Sequence, residues 1–375
     1  MNESKVYFTN MRTALGDSLQ NKLVRLLKQA GMENIDYKER YVAIKIHFGE
    51  PGNLSYLRPN WAKTVADFVK QQGGKPFLTD CNTLYVGRRK NAIDHMDAAY
   101  ENGFSPFSTG CQIMIADGLK GTDEVLVPVK NGELVKTAKI GRAVMDADIV
   151  ISLTHFKGHE STGFGGAIKN IGMGCGSRAG KMEQHCGGKP EVDQSICRGC
   201  HACTKECAQQ AIRFDENRKA FIDHNLCVGC GRCIGACNFD AIDNPTNSAN
   251  DELDKKIAEY AQAVLDGRPS FHISIVNQVS PCCDCHGEND TPIIPDVGMF
   301  ASFDPVALDV ACADACNRQP VLPGSMLAES MQETSKHDHH DHFTNNYEVT
   351  NWRTCTEHAE KIGLGSQQYE LITVK

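Results

Sequence analysis

Eight cysteines fall in two runs of identical spacing, "CRGCHACTKEC" over residues 197–207 and "CVGCGRCIGAC" over residues 227–237, each of the form C-x2-C-x2-C-x3-C. No other feature of the chain restricts its fold so much. Three thiolates on a tight loop, with Gly199, Gly229 and Gly231 nearby, can hold three irons of a cubane while the fourth iron faces the other half of the duplication. The spacing therefore assigns Cys197, Cys200, Cys203 and Cys237 to one [4Fe-4S] cluster, and Cys227, Cys230, Cys233 and Cys207 to a second. Zinc ribbons also use C-x2-C pairs, but zinc accounts for neither the third nor the fourth cysteine of each run. The pattern expects Pro after each fourth cysteine; Ala208 and Asn238 stand there, which removes no ligand. Each run is followed at the same distance by an Ala-Ile pair, Ala211-Ile212 and Ala241-Ile242, so the unit carries approximate two-fold symmetry.

That unit is too small to be the whole fold. The chain has 375 residues, 41% of them hydrophobic, enough to fill the core of one large domain or two ordinary ones without disulfides. Its 18 cysteines are clustered, and the opening "MNESKVYFTNMRT" lacks the apolar segment of a secretory signal, so the expected setting is a reducing cytoplasm with metal-bound cysteines. Runs such as "DADIVISL" are strand-sized, well short of the roughly 18–20 apolar residues that span a bilayer. With 39 Lys and Arg against 47 Asp and Glu, a net charge of -8 and no basic stripe, neither nucleic acid nor a membrane is an expected partner.

Around the repeat, "YVAIKIHFG", "GKPFLTDC", "CQIMIADG", "DADIVISLTHF" and "SFHISIVNQVS" are short apolar, β-branched runs that predict buried strands. Between them, "PNWAKTVADFVKQQGG" and "DELDKKIAEYAQAVLDG" carry helix start and stop residues. Strand-like runs on both sides of the repeat make residues 188–246 an insertion. The expected architecture is α/β, an open, mainly parallel sheet with helices on both faces built from residues 1–187 and 247–375, interrupted by a small α+β two-cluster ferredoxin-like domain. Two α/β domains joined by the repeat is the alternative. "HDHHDH" at 337–342 reads as a solvated loop before a last helix around "NWRTCTEHAEKIG".

In open α/β sheets ligands bind beyond the carboxyl ends of the strands. Polar residues follow the predicted strands there: Lys45, His47, Gly49 and Glu50; Asp80, Cys81, Asn82 and Thr83; His155, Lys157, His159 and Glu160; Cys282, Cys283, Cys285 and His286. Lys45, His47, His155, Lys157 and His159 are the candidates for proton delivery or anion binding. As loop residues at a sheet edge, His155, Lys157 and Cys285 are expected to cost no more than about 1–2 kcal/mol when replaced singly by Ala, Ala and Ser. Cys282 and Cys285, in C-x2-C spacing with Cys283 between them, suggest a third metal centre or a redox dithiol; lining a pocket is the plainer alternative. Cys312 and Cys316 lie four apart on a predicted helix, as metal ligands or small core residues. "GFGGAIKN" (163–170) suggests backbone amides offered to an anion at a helix start, although its glycines fail the dinucleotide fingerprint and "GSRAGKM" is no P-loop.

The stretches "VAIKIHFGEPGN", "LTDCNTLYVGRRKNA", "THFKGHESTGFGGAIKNIGMGCGSRAGK" and "CDCHGENDTPIIPDVGMFASFDPVALD" resemble the iron-sulfur-centre proteins in which domain of unknown function 362 carries an inserted two-cluster ferredoxin module. The resemblance covers nearly the whole chain and implies architecture and clusters, not a substrate. The expected function is a cytoplasmic redox protein whose module takes electrons from a redox partner protein and delivers them to a small-molecule substrate or metal site in the strand-end crevice. The rival is an electron carrier whose α/β part only docks partners, and a cluster-assembly scaffold is a third reading.

Overall fold

The computed structural model describes residues 3–375 apart from 85–86, 186–188, 208, 228–232, 234–235, 238, 240, 244–249 and 334–339. The five apolar runs form strands Tyr41–Lys45, Lys75–Asp80, Gln112–Ile115, Ile149–His155 and Ser270–Val276. Strands Ser4–Asn10, Gly298–Ser302 and Tyr369–Thr373 complete an eight-stranded sheet. From one edge to the other the order is Tyr369–Thr373, Ser4–Asn10, Gly298–Ser302, Ser270–Val276, Ile149–His155, Tyr41–Lys45, Lys75–Asp80, Gln112–Ile115. Gly298–Ser302 runs antiparallel to both its neighbours, and every other pairing is parallel.

Alternation along the central strands sorts the core onto two faces. Ile149, Ile151 and Leu153 share one face with Phe271, Ile273 and Ile275, covered by Leu23, Leu26 and Leu27 of helix Leu19–Gln29 and by Trp61, Val65 and Phe68 of helix Pro59–Gln71. Val150 faces the other way, among Ile168 and Ile171 of helix Ala167–Cys175 and Ile257, Ala261 and Val264 of helix Asn250–Leu265. Further along that face, Val6, Val276 and Phe300 pack with Ala307, Leu308 and Ala311 of helix Pro305–Asn317. Cys312 and Cys316 lie in the same cluster, so the helix face they share is core. Helix Trp352–Lys361, the last expected one, adds Ala359 to the second cluster.

Between residues 188 and 246 lie short antiparallel pairs, Glu191–Val192 with Ile242–Asp243 and Ile212–Phe214 with Ala220–Ile222. The duplication reappears in their hydrogen bonds. Asp193 N–H donates to Ala241 O at 2.7 Å and Asp223 N–H to Ala211 O at 2.7 Å. Cys197 N–H donates to Asp193 O, and Cys227 N–H likewise to Asp223 O. Each half thus closes on the other through equivalent bonds.

Two glycines show how tightly the α/β layers meet. A Cβ on Gly172 of helix Ala167–Cys175 would collide with the Ile257 carbonyl of helix Asn250–Leu265, and one on Gly166 would collide with the Asp309 carboxylate. Gly172→Ala is therefore expected to cost about 1–3 kcal/mol, because a backbone carbonyl cannot rotate away and the helices must part. Chemical denaturation measures this.

Candidate functional site

The chain winds outward from Tyr41–Lys45 through Lys75–Asp80 to Gln112–Ile115, then returns to the opposite side of Tyr41–Lys45 with Ile149–His155 and continues to Ser270–Val276. Loops leaving Tyr41–Lys45 and Ile149–His155 therefore turn apart, and a crevice opens at this reversal. Three further segments enter it: residues 80–84 and 87–90 after strand Lys75–Asp80, residues 157–165 as the antiparallel pair Lys157–His159 with Gly163–Gly165, and residues 280–287.

The last of these, "SPCCDCHG", is held by two close backbone approaches. Gly158 N–H donates to Ser280 O at 2.8 Å, and a Cβ on Gly158 would stand 2.6 Å from Pro281 O. Gly52, at φ +105°, leaves no room for a Cβ beside Gly287 O, while Glu50 N–H donates to Asp284 O at 2.9 Å. Between these clamps alternate residues face opposite ways. Asp284 is fully buried; its carboxylate accepts from His155 Nδ1 at 2.9 Å and lies 3.6 Å from Lys157 Nζ. Cys283 and Cys285 face His159: the imidazole and both thiols bring their ligand atoms within 4.8 Å of one another. Cys282 shares a hydrogen bond with the Tyr347 hydroxyl, and it is Cys283 and Cys285 that meet His159.

The three histidines of the crevice have different hydrogen-bond polarity. His47 Nδ1 accepts from Gly49 N–H at 3.0 Å and its Nε2 faces Arg89 Nη1 at 3.0 Å, so both nitrogens meet donors. Burial and the Arg89 charge hold its pKa well below the ordinary range, which disfavours the imidazolium form. His155 is the reverse: Nδ1 meets the Asp284 carboxylate and Nε2 meets Asn277 O at 2.8 Å, both acceptors. His159 is mixed, with Nδ1 accepting from Ser161 N–H at 3.1 Å and Thr162 N–H at 3.2 Å, which leaves Nε2 as the N–H.

Charges in the crevice are paired. Lys45 Nζ lies 3.0 Å from Asp80 Oδ1 and donates to Asn170 Oδ1 at 2.8 Å, with both members of the ion pair buried. Arg89 Nε meets Glu50 Oε2 at 2.7 Å. Burial works against the Lys157 charge, but Asp284, Cys283 and Cys285 outweigh it and raise its pKa. Glu160, despite burial, is drawn down to about 2 by its hydrogen bond from His286, whose own pKa rises in return. Cys283 and Cys285 share one hydrogen bond. It draws Cys283 well below and Cys285 well above the usual thiol range, and Lys169, Lys157 and His159 add to the depression of Cys283. Lys169 Nζ lies 4.0 Å from Cys283 Sγ.

Two expectations are corrected here. The helix start at "GGAIKN" is not open to an anion: Asp309 accepts from Ala167 N–H at 2.7 Å and Ile168 N–H at 2.9 Å, and burial pushes its pKa up to about 7. In "HDHHDH", residues 337–339 lie outside the described residues, but Asp341 and His342 are buried rather than solvated. Asp341 accepts from Trp352 Nε1 and His342 Nε2 faces Gln319 O. Sequence reasoning placed Lys169 beside the "GFGGAIKN" amides but missed Asp284 and Arg89, whose only signal was proximity to the quoted motifs.

In the inserted segment, Cys197, Cys200, Cys203 and Cys237 line one cavity with an empty volume of about 310 Å³. Backbone N–H groups of Ala220, Ala211 and Ala241 donate to the sulfurs of Cys197, Cys207 and Cys237 at 3.4, 3.3 and 3.3 Å. Cys227 and Cys233 are described, whereas Cys230 lies outside the described residues. Among the described residues, His159, Cys283 and Cys285 are the one set of three ligating side chains that meets within 4.8 Å, so no three of Cys197, Cys200, Cys203 and Cys237 do. Lys90, next in the chain to Arg89, donates from Nζ to Cys237 O at 3.3 Å. Among the described residues no helix is long and apolar enough to cross a membrane.

Burial overturns the expected low cost of removing these side chains, since His155, Lys157 and Asp284 are all buried. Asp284→Asn leaves the buried Lys157 ammonium without its carboxylate and weakens the acceptor of His155 Nδ1, and the expected loss at neutral pH is about 3–5 kcal/mol. The native Asp284 carboxyl is held far below its ordinary value: burial opposes this, and His155 and Lys157 outweigh it. Its contribution is therefore complete above the unfolded Asp value of about 3.9 and is lost as pH falls through the lower folded value. Denaturant titrations of the two proteins should converge below about pH 4.

Among known proteins, the chain is 28% identical over 128 residues to the thylakoid-associated protein sll1697 of Synechocystis, a match covering 33% of this chain and 35% of that one. The lactate racemase apoprotein of Thermoanaerobacterium thermosaccharolyticum aligns with a TM-score of 0.37 and 11% identity, over 73% of this chain and 51% of that one. A Thermotoga maritima protein aligns at 0.41 with 12% identity, over 80% and 57%. The chain thus spans about a third of the curated relative and little more than half of these solved structures. The model of the domain of unknown function DUF362 matches residues 42–314, and the chain belongs to that family.

Proposed function

We propose that the chain is an iron-sulfur redox protein in which the inserted module holds two [4Fe-4S] clusters and electrons pass from a redox partner protein, through the module, to the strand-end crevice. The observation that carries this reading is the spacing of the module's thiols. Both runs have the form C-x2-C-x2-C-x3-C, and Cys197, Cys200, Cys203 and Cys237 line one cavity. The repeated third and fourth cysteines suit two cubanes rather than zinc, for which C-x2-C pairs suffice. Cys237 comes from the second run, in keeping with crossed ligands. When bound, such clusters supply and accept single electrons and have no open iron, so bond chemistry falls to the crevice.

The chain's own residues support that division. N–H groups of Ala211, Ala220 and Ala241 aimed at sulfur stabilise thiolate charge in the module. In the crevice, Lys157 and Lys169 set positive charge beside Cys283. The link from Cys237 through Lys90 to Arg89 joins the two regions covalently and by one hydrogen bond.

Anaerobic iron and sulfide analysis should give about eight of each per chain. Cys207→Ser should damage the cluster assigned to Cys227, Cys230 and Cys233, not the one assigned to the first run, as read by electron paramagnetic resonance. About four irons, or zinc in their place, would overturn the assignment. Loss of the other cluster from Cys207→Ser would overturn the crossed ligands.

A further inference from the structure

We propose that Cys283 and Cys285 form a redox-active dithiol, a two-electron store at the crevice that cycles to an intramolecular disulfide, with a small-molecule disulfide as its oxidant. The inference rests on the electron-delivery reading above for the source of its electrons, and on the geometry of the crevice for everything else.

The two sulfurs already share a hydrogen bond and lie within 4.8 Å of each other. A disulfide needs them at about 2.05 Å, a change that side-chain rotation supplies while the backbone stays clamped by Gly52, Gly158 and Asp284. Cys283 is buried and Cys285 half-buried, so a small reactant meets the pair from the Cys285 side. Cys282, bonded to Tyr347, stands outside the exchange.

The His159 tautomer separates a dithiol from a metal centre. A histidine that ligates a metal through one nitrogen ordinarily donates the N–H of the other to a carbonyl or carboxylate. Here the other nitrogen, Nδ1, faces two backbone N–H donors, Ser161 and Thr162, and no acceptor. The proton therefore sits on Nε2, which serves Cys283 as a hydrogen-bond donor, lies 3.8 Å from Glu160 Oε2, and has no lone pair free for a metal. Donated N–H and nearby ammonium groups are what a thiolate requires. His159 is thus a positioning residue for Cys283, with Lys169 and Lys157 balancing its charge.

The chemistry balances without a further reactant. On reduction the Cys283–Cys285 S–S bond takes up two electrons and one proton; the bond breaks, the proton ends on Cys285 Sγ and Cys283 is left as thiolate. The electrons come singly from a low-potential donor protein. On oxidation the thiolate and thiol give two electrons to a disulfide RSSR, whose S–S bond breaks as theirs forms, releasing RS− and RSH.

The test uses the full chain with its iron. After anaerobic treatment with bis(2-hydroxyethyl) disulfide and removal of the reagent, the protein is denatured and alkylated, and the peptide bearing both cysteines is weighed. It should be unalkylated and lighter by two hydrogen atoms. After reduced methyl viologen, a one-electron donor, it should return doubly alkylated. Cys285→Ser should trap 2-mercaptoethanol on Cys283 as a mixed disulfide. His159→Phe should slow closure roughly tenfold, and His159→Gln, which keeps an N–H donor, should recover most of the rate. Two free thiols after oxidation, or one metal ion per chain lost from both Cys283→Ser and Cys285→Ser, would overturn the dithiol. If this occurs with the module's iron intact, the dithiol alone has failed. If the pair closes in a protein whose module holds no iron, and only dithiothreitol reopens it, electron delivery has failed and the proposed donor with it.

Discussion

A single fully buried carboxylate, Asp284, organises the strand-end crevice. Its side chain takes the N–H of His155 and lies beside the ammonium of Lys157, and its carbonyl takes the N–H of Glu50. Three loops from three strands are tied at one residue. An unpaired carboxylate would be costly to bury, and so would the Lys157 ammonium. None of the three can leave without stranding the others, and that mutual dependence fixes the backbone on either side. Cys283 and Cys285 stand where they do because the residue between them is anchored.

The same constraint explains why three histidines in one crevice differ in character. His155 and His159 are buried and His47 is half-buried, so each ring answers chiefly to the groups its nitrogens meet. His47 meets donors on both sides, His155 meets acceptors on both sides, and His159 meets donors on one side and sulfur on the other. Only the third is arranged to act on a nucleophile. Lys45 is removed from such a role by its own buried pairing with Asp80 and Asn170.

What the sequence revealed and what it hid divide along physical lines. The central strands were legible because Ile149–His155 and Ser270–Val276 are apolar over nearly their whole length, as parallel strands buried on both faces must be. Ser4–Asn10 and Tyr369–Thr373 were missed, being half-exposed strands at one edge with mixed composition. The convergence of strand-end polar residues was legible because the topology of open sheets places them together. Side-chain direction was not. Spacing favoured Cys282 with Cys285, and only the clamps at Gly52 and Gly158 turn Cys283 and Cys285 to the same side. Nor could "GGAIKN" show that Asp309, 142 residues after Ala167, fills its helix start.

The module and the crevice are joined at the Arg89–Lys90 peptide. Arg89 turns inward, its guanidinium held by Glu50 and facing His47; Lys90 turns outward and donates to the carbonyl of Cys237. Adjacent residues of one backbone cannot move independently. A shift of the loop at Cys237 that broke the Lys90 bond, or drew it along, would load the buried Arg89–Glu50 pair, whose Glu50 N–H is bonded to Asp284. The path from the module to the anchored carboxylate therefore runs through two hydrogen bonds, one ion pair and one peptide, and each of these contacts is buried or partly buried. Position in the module and position of the cysteines flanking Asp284 are, by that connection, parts of one arrangement.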